Sequence, residues 1–257
     1  MANRKLRFLG TGTSQGVPPI GCMHPVCLSD DPRDKRLRTS AIITTATGNK
    51  ILIDCGPDFR QQMLANDERD VHAVLLTHEH NDHVIGLDDL RPLIFKNGQD
   101  MPLFCHERVA GEVQSRFPYA FADERYPGAP AFQIHVVDAP FHLFGEDILP
   151  VKVQHSKIEI FGYRLGGLAY ITDASFISAQ EKGKLADLDV LVINCLREKE
   201  PHHAHFVLKD VIKLVAELKP SVTYLTHMSH HVGFHKDMLE RLPGYIVPAY
   251  DGLEINF

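Results

Sequence analysis

Short runs of apolar residues, each followed by a polar residue, recur along the chain. Such runs are typical of β-strands that are buried on both faces of a sheet. Five of them lead into residues with metal-binding or supporting side chains, and they span 51–53, 74–76, 168–171, 190–193 and 222–225. Because these polar residues follow strand ends, we expect them to meet at one edge of a sheet sandwich and to form a single site.

Two other segments have the spacing of amphipathic helices. Apolar residues recur at helical intervals in 208–218, and Pro220 ends that helix. A second helix is predicted over 107–117. The stretch 96–130 has mixed signals, with several Gly and Pro, and is predicted to be a connection with one strand and one helix, partly over the site. No linker divides the sequence, so 1–257 is predicted to form a single α/β domain.

Composition and charge restrict the class of protein. The 257 residues are 44% hydrophobic, which is enough for a substantial core, and no apolar run approaches the length of a membrane span. The net charge of −6 argues against an extended nucleic-acid surface but not against a small phosphate-bearing substrate. Five cysteines are too few for a secreted disulfide scaffold. Together these features predict a cytoplasmic protein that does not bind membranes.

The segment 77–83 carries the strongest chemical signal. It places His78, His80, Asp82 and His83 directly after a predicted strand. Neutral imidazole is the commonest ligand for zinc and similar ions, and carboxylate oxygen often accompanies it. A turn there could direct the first two histidines at one ion and the last two residues at a second. The segment therefore predicts a metal-dependent hydrolase.

This His-x-His-x-Asp-His pattern is the signature of the metallo-β-lactamase superfamily, which the chain resembles. The resemblance implies a four-layer αββα sandwich, and the Thr-His pairs at 77–78 and 226–227 suggest two related halves. The order and spacing of later residues also match that family. By this resemblance the first ion is bound by His78, His80 and His155, the second by Asp82, His83 and His227, and Asp173 bridges them.

Two ions about 3.5–4 Å apart would account for so many ligands, because they can share a water that becomes a nucleophile near neutral pH. The resemblance thus implies a metal-bridging hydroxide as the attacking group. Zinc and manganese both suit this set of His and Asp ligands. Asp54 follows a predicted strand and is a candidate for holding a ligand imidazole in place.

A second group of metal-binding residues lies near the amino terminus. Cys22, His24 and Cys27 fall within six residues and predict three ligands of a structural zinc, with His230 as a fourth. The Gly-Thr-Gly at 10–12 and this cluster resemble the phosphodiesterase branch related to phosphoribosyl cyclic phosphodiesterase. That branch has a cysteine where this chain has His24, so a Cys₂His₂ site is expected instead.

In that branch a histidine from the loop before the last helix acts near the scissile phosphate. The matching residue is His205, and histidine can donate a proton to a departing alkoxide. The same loop contains His202 and His203, and spacing alone leaves open which of the three is the general acid.

The expected function is a binuclear phosphodiesterase that acts on a small, in particular cyclic, phosphate diester or on a nucleotide. The resemblance also implies a homodimer. A tRNA 3′-processing endonuclease shares the metal motif, although no basic arm for tRNA is present. A thioesterase or lactonase of the same fold and the pyrroloquinoline-quinone biosynthesis branch also stay open. A non-catalytic zinc-binding protein on this fold would be expected to have lost metal ligands.

Overall fold

Two seven-stranded β-sheets form the centre of the structure, a computed structural model that describes residues 4–257. The fourteen strands are β1 (Lys5–Gly10), β2 (Ser40–Thr44), β3 (Lys50–Ile53), β4 (Ala73–Leu75), β5 (Met101–Cys105), β6 (Phe132–Val136), β7 (Phe141–Leu143), β8 (Glu146–His155), β9 (Ile158–Leu165), β10 (Leu168–Ile171), β11 (Val190–Asn194), β12 (Val222–Thr226), β13 (Ile246–Pro248) and β14 (Glu254–Asn256). The first sheet has the order β14-β1-β2-β3-β4-β5-β6 and the second the order β13-β12-β11-β10-β9-β8-β7.

The two sheets have the same internal pattern. In the first, β14 to β3 pair antiparallel and β3 to β6 pair parallel. In the second, β7 to β10 pair antiparallel and β10 to β13 pair parallel. The shared pattern agrees with two related halves. The strands that correspond between the halves, however, are not those that the Thr-His pairs predict. The Thr-His pairs follow β4 and β12, which are not equivalent strands, whereas Asp54 and Asp173 follow the equivalent strands β3 and β10.

Seven α-helices connect the strands within the part of the chain that the structure describes. They are α1 (Phe59–Ala65), α2 (Asn81–Val84), α3 (Arg91–Asn97), α4 (Glu107–Arg116), α5 (Ala179–Gly183), α6 (Leu208–Leu218) and α7 (His235–Arg241). Across residues 4–257 no helix combines the length and the apolar character needed to cross a bilayer.

Three apolar clusters divide the molecule into four layers. On β3, Ile51 and Ile53 face the core between the sheets, and Leu52 faces the helices outside the first sheet. Helix α4 covers that outer face with Val109, and α6 covers the outer face of the second sheet with Leu214. Helices therefore flank both sheets, and the predicted αββα sandwich is confirmed. Strands with both faces buried explain the unbroken apolar runs of the sequence.

The predicted elements agree closely with the structure. Helix α6 spans the predicted 208–218, and α4 begins at the predicted 107 and ends at 116. The stretch 96–130 contains the expected strand β5 and helix α4, besides the end of α3. Of the long hairpin of β8 and β9, the sequence predicts only the run before His155.

Candidate metal centre

Strand ends from both sheets converge at one edge of the sandwich. Strands β3, β4 and β10 are short and almost wholly apolar, so the first polar residue after each lies where the buried layers end. The predicted site residues follow these strands, with Asp54 after β3, His78 to His83 after β4, His155 at the end of β8, Asp173 after β10 and His227 after β12.

Three histidines form the first group of potential ligands. The nitrogens of His78, His80 and His155 lie within 4.8 Å of one another, and Nε2 of His78 is 2.9 Å from Nδ1 of His80. His155 donates from Nδ1 to the carbonyl oxygen of Ala204 at 2.9 Å, which leaves its Nε2 as an acceptor. His78 is fully buried and His80 is exposed, so the group opens to solvent on the side of His80.

The second group contains Asp82, His83 and His227, whose ligand atoms also lie within 4.8 Å of one another. Asp173 lies against both of its imidazoles. Oδ2 of Asp173 is 3.3 Å from Nε2 of His83, and Oδ1 is 3.1 Å from Nε2 of His227. Asp173 also lies within 4.8 Å of His78 and His83 together. It therefore joins the two groups, as expected of a bridging carboxylate.

Asp54 is fully buried behind these residues and holds one histidine of each group. His83 donates from Nδ1 to Oδ2 of Asp54 at 2.7 Å, which orients Nε2 toward Asp173. Thr77 donates from its hydroxyl to the same carboxylate at 2.8 Å and lies 3.0 Å from Nδ1 of His78. Because the Thr77 hydroxyl gives its proton to Asp54, the hydroxyl oxygen accepts a hydrogen bond from Nδ1 of His78. Nε2 of His78 is therefore left without a proton.

The backbone at this edge is strained. Asp54, Asp173 and His227 have φ angles of 59°, 56° and 51°, in the left-handed region that few non-glycine residues adopt. Such strain persists only where the surroundings fix the conformation, and it is concentrated at functional sites. A Cβ on Gly56 would overlap the carbonyl oxygen of Asp82, so glycine allows the two site loops to pack closely.

Burial and charge shift the pKa values of His83 and Asp173 in opposite directions. Burial would lower the pKa of His83, yet the carboxylates of Asp173, Asp54 and Asp82 raise it well above its usual value. Burial would likewise raise the pKa of Asp173, but His227 and His83 hold it well below its usual range. The pKa of His78 is lowered well below normal by burial and by the neighbouring His83. The carboxylates thus create a field that attracts positive charge into a buried site.

The imidazole nitrogens and carboxylate oxygens of the cluster fit divalent metal ions as ligands. Nε2 of His83, both ring nitrogens of His227 and Nδ1 of His205 are buried without a hydrogen-bond partner in the described chain. A buried polar atom without a partner costs about 1–3 kcal/mol. Imidazole nitrogens and carboxylate oxygens that face one another in this way are the ligand set of zinc and manganese, and bound ions would satisfy Nε2 of His83 and one ring nitrogen of His227.

Among the three histidines of the loop 202–205, His205 lies in the cluster. It is 8% exposed, its Nδ1 is 3.6 Å from Oδ1 of Asp173, and its ring is 4.8 Å from that of His227. Burial and His227 lower its pKa to about 3. The ring of His202 is 5.1 Å from that of His205, and the ring of His203 lies against His202 at 4.6 Å.

The amino-terminal cluster is a separate group. The sulfur atoms of Cys22 and Cys27 and a nitrogen of His230 lie within 4.8 Å of one another. His24 is not in this group. Its Nδ1 accepts from the backbone N–H of Val26, although its ring is 4.7 Å from that of His230. Burial and Cys22 raise the pKa of the Cys27 thiol to about 11.

Sequence reasoning missed the residues that clamp the histidine segment from outside. Glu79 forms an ion pair with Arg108, and its carbonyl oxygen accepts from Arg116. Both arginines belong to α4, so this helix holds the segment that contains His78 and His80. They lie 29 and 37 residues from Glu79 in the chain, and no local pattern reveals such a contact.

Comparison with known families gives one match over most of the chain. The model of the beta-lactamase superfamily domain matches residues 49–228, which include the site residues from Asp54 to His227.

Two named relatives are similar in sequence. Octanoyltransferase of Porphyromonas gingivalis (strain ATCC BAA-308 / W83) is 41% identical over 249 residues, or 96% of this chain and 50% of that protein. The chain therefore spans half of that relative's length. Coenzyme PQQ synthesis protein B of Methylorubrum populi (strain ATCC BAA-705 / NCIMB 13946 / BJ001) is 27% identical over 221 residues, covering 73% of this chain and 71% of that one.

Solved structures with the same fold include one of high similarity. A crystal structure described as a new diphosphatase from the PhnP family has 39% identity and a TM-score of 0.91, covering 99% of this chain and 98% of that one. Zinc-bound PqqB from Methylobacterium extorquens has 20% identity and a TM-score of 0.78, covering 98% and 100%. Human tRNase Z, short form, has 15% identity and a TM-score of 0.72, covering 98% of each chain. The last two similarities concern the fold alone.

Proposed function

The chain belongs to the metallo-β-lactamase superfamily, whose members are hydrolases, and on that premise we propose that it is a binuclear metal-dependent phosphodiesterase. Its substrates would be small phosphate diesters, in particular cyclic ones, or nucleotides. The observation that carries the proposal is the position of Asp173 next to His78 of the first ligand group and His83 and His227 of the second. The 39% identity to a diphosphatase over nearly the whole chain supports chemistry at phosphorus.

The proposed ligands are the side chains whose nitrogen and oxygen atoms lie close to one another. His78, His80 and His155 would bind one ion, Asp82, His83 and His227 the other, and Asp173 both. Zinc or manganese bound there would acidify a water for attack and neutralise charge on the phosphate. Asp54 would orient His83 directly and His78 through Thr77. A separate zinc at Cys22, Cys27 and His230 would have a structural role.

Hydrolysis forms a bond between a water oxygen and phosphorus and breaks the bond to the leaving oxygen, which then needs a proton. His205 would donate it, since it is the histidine of its loop that lies within the cluster. Burial and His227 lower its pKa to about 3 despite the neighbouring Asp173 carboxylate, and the negative charge of a bound phosphate would favour its protonated form. Substrate binding would therefore load His205 with the proton that the leaving group receives.

An acyl substrate is the second candidate, because one relative is named octanoyltransferase. The chain covers only half of that protein, so the name need not describe the half that is matched. A tRNA-processing role would share the fold of tRNase Z, but the net charge of −6 disfavours an extended RNA partner.

The test is hydrolysis of bis(p-nitrophenyl) phosphate, an acyl thioester and a lactone by the metal-loaded protein. We expect turnover of the phosphate diester, lost in Asp82→Ala. The matched control is Asp88→Ala, whose carboxylate pairs with Arg91 outside the cluster and whose loss should leave the rate unchanged. Hydrolysis of the thioester or lactone alone would overturn the proposal.

A further inference from the structure

Strand β9 of the second sheet lies beside the histidine segment that follows β4 of the first sheet. The N–H of Phe161 donates to the carbonyl oxygen of Thr77 at 3.1 Å, directly before the first ligand histidine. On the other side of that histidine, Arg108 of α4 donates from Nη1 to the carboxylate of Glu79. The same guanidinium donates from Nη2 to the carbonyl oxygen of Glu159 in β9, at 2.7 Å. Contacts between the sheets therefore lie on both sides of this histidine.

The guanidinium of Arg108 thus connects the chain segments that carry all three ligands of the first group. Glu79 lies between the first two of these ligands in the sequence, and Glu159 is paired in register with the residue before the third. Arg116 of the same helix donates to the carbonyl oxygen of Glu79 and adds a second contact. Helix α4 therefore fixes the separation between the two histidines that follow β4 and the one that ends β8.

The ion pair of Glu79 with Arg108 is partly buried. The side chains are 15% and 33% exposed, and Oε2 of Glu79 is buried without a hydrogen-bond partner in the described chain. A partly buried pair is screened less by solvent and salt than an exposed one. Because Arg108 balances a carboxylate that has little access to water, the pair holds a defined geometry.

We propose that Arg108 is a positioning residue that sets the affinity of the first metal ion and acts through Glu79 and Glu159. The inference rests on the proposed function only for the division of the ligands into two groups. Within residues 4–257, the ligands of the second ion make no hydrogen bond or ion pair with Arg108; they are Asp82, His83 and His227. Loss of Arg108 should therefore weaken one ion selectively, whereas Asp54 supports a histidine of each group.

The test is titration of the metal-free protein with Mn²⁺, a probe that favours imidazole and carboxylate over the thiolates of the amino-terminal cluster. Supporting contacts around metal ligands typically contribute about 10–100-fold to affinity, so in Arg108→Met one ion should bind that much more weakly and the other as in the wild type. The matched control is Arg91→Met, whose guanidinium pairs with Asp88 at 2.6 Å, and it should bind both ions normally.

Electron paramagnetic resonance shows how many ions share the centre, because two bridged Mn²⁺ ions are magnetically coupled. At Mn²⁺ concentrations that fill both sites of the wild type, Arg108→Met should give the signal of a single uncoupled ion. A second variant assigns the site that is weakened. His80→Ala removes a ligand of the first ion, so adding Arg108→Met to it should leave the affinity of the remaining ion unchanged.

A double variant separates this role from support of the fold. Arg108→Met alone leaves the Glu79 carboxylate without its counter-charge, which can destabilise the protein. Glu79→Gln with Arg108→Met removes both charges, so it should unfold close to the wild-type Tm and still show the selective loss of one ion.

Equal weakening of both ions in the folded double variant would mean that Arg108 only supports the fold, and would overturn the inference. Wild-type affinity for both ions, or further weakening of the ion that remains in His80→Ala, would overturn it too. Binding of two Mn²⁺ ions by a wild type that hydrolyses no phosphate diester would contradict the proposed function instead. The selective loss would then still decide on Arg108, because binding and resonance spectra are independent of turnover.

Discussion

Replacing Asp54 with asparagine should weaken metal binding at both ligand groups at once. The carboxylate accepts from Nδ1 of His83 at 2.7 Å and from the N–H and hydroxyl of Thr77, both at 2.8 Å. An amide has only one oxygen. If it replaces Oδ2, the NH₂ faces the backbone N–H of Thr77, and if it replaces Oδ1, the NH₂ faces both the His83 N–H and the Thr77 hydroxyl that fixes His78. Loss of such supporting contacts typically costs 10–100-fold in metal affinity, or about 1.4–2.7 kcal/mol per ion.

Competition with a chromophoric chelator measures this effect on the folded protein. Burial raises the pKa of Asp54, so its charge is costly to bury, and Asp54→Asn should leave the metal-free protein folded. Asp58→Asn is the matched control, since Asp58 lies on the same loop but pairs with Arg38 at 2.7 Å. Wild-type metal affinity in a folded Asp54→Asn protein would refute the reasoning that Asp54 orients the ligands.

Three further predictions concern other parts of the molecule. His205→Gln should lower kcat about 10²–10⁴-fold for an alkyl leaving group and much less for p-nitrophenolate, which needs no proton; equal losses would exclude a general acid. Cys27→Ser should reduce the metal content by about one ion per chain, measured by plasma mass spectrometry, and lower Tm; unchanged content would contradict a metal there. Burial and the cations of Arg36 and Arg33 lower the pKa of His235 to about 4, below its usual 6.5. The unfolded chain then binds more protons between those pH values, so stability is lost as pH falls through that window. From pH 7 to pH 5 the free energy of unfolding of chelator-treated His235→Gln should fall by about 1 kcal/mol less than that of the wild type, as measured by thermal unfolding. Equal losses in the two proteins would contradict this prediction.

The sequence predicts those parts of the fold that depend on local pattern. Strands such as β3 and β10 are buried on both faces, so they appear as apolar runs, and their next polar residues, Asp54 and Asp173, mark the site edge. Helix α6 has one apolar face and is equally visible. The β8–β9 hairpin is harder to predict because Pro150 and Gly162 lie inside its strands, where both residue types argue against a strand.

Contacts between distant segments have no local signal. The ion pair of Glu79 with Arg108 depends on how α4 folds against the histidine segment. His24 differs because the hydrogen bond that its ring accepts is local. Its position between two cysteines predicts a ligand, whereas in the structure its Nδ1 accepts from the N–H of Val26 at the start of a short 3₁₀ turn. The role of His24 as a zinc ligand beside Cys22, Cys27 and His230 stays a prediction.

The most direct test of the account is to titrate metal-free protein with Mn²⁺ or Zn²⁺ and to follow hydrolysis of bis(p-nitrophenyl) phosphate together with bound metal. A binuclear centre at the His and Asp cluster predicts no turnover without metal and maximal turnover once both ions of that cluster are bound. Turnover by the metal-free protein, or full occupancy of the cluster without hydrolysis of the diester, would contradict it.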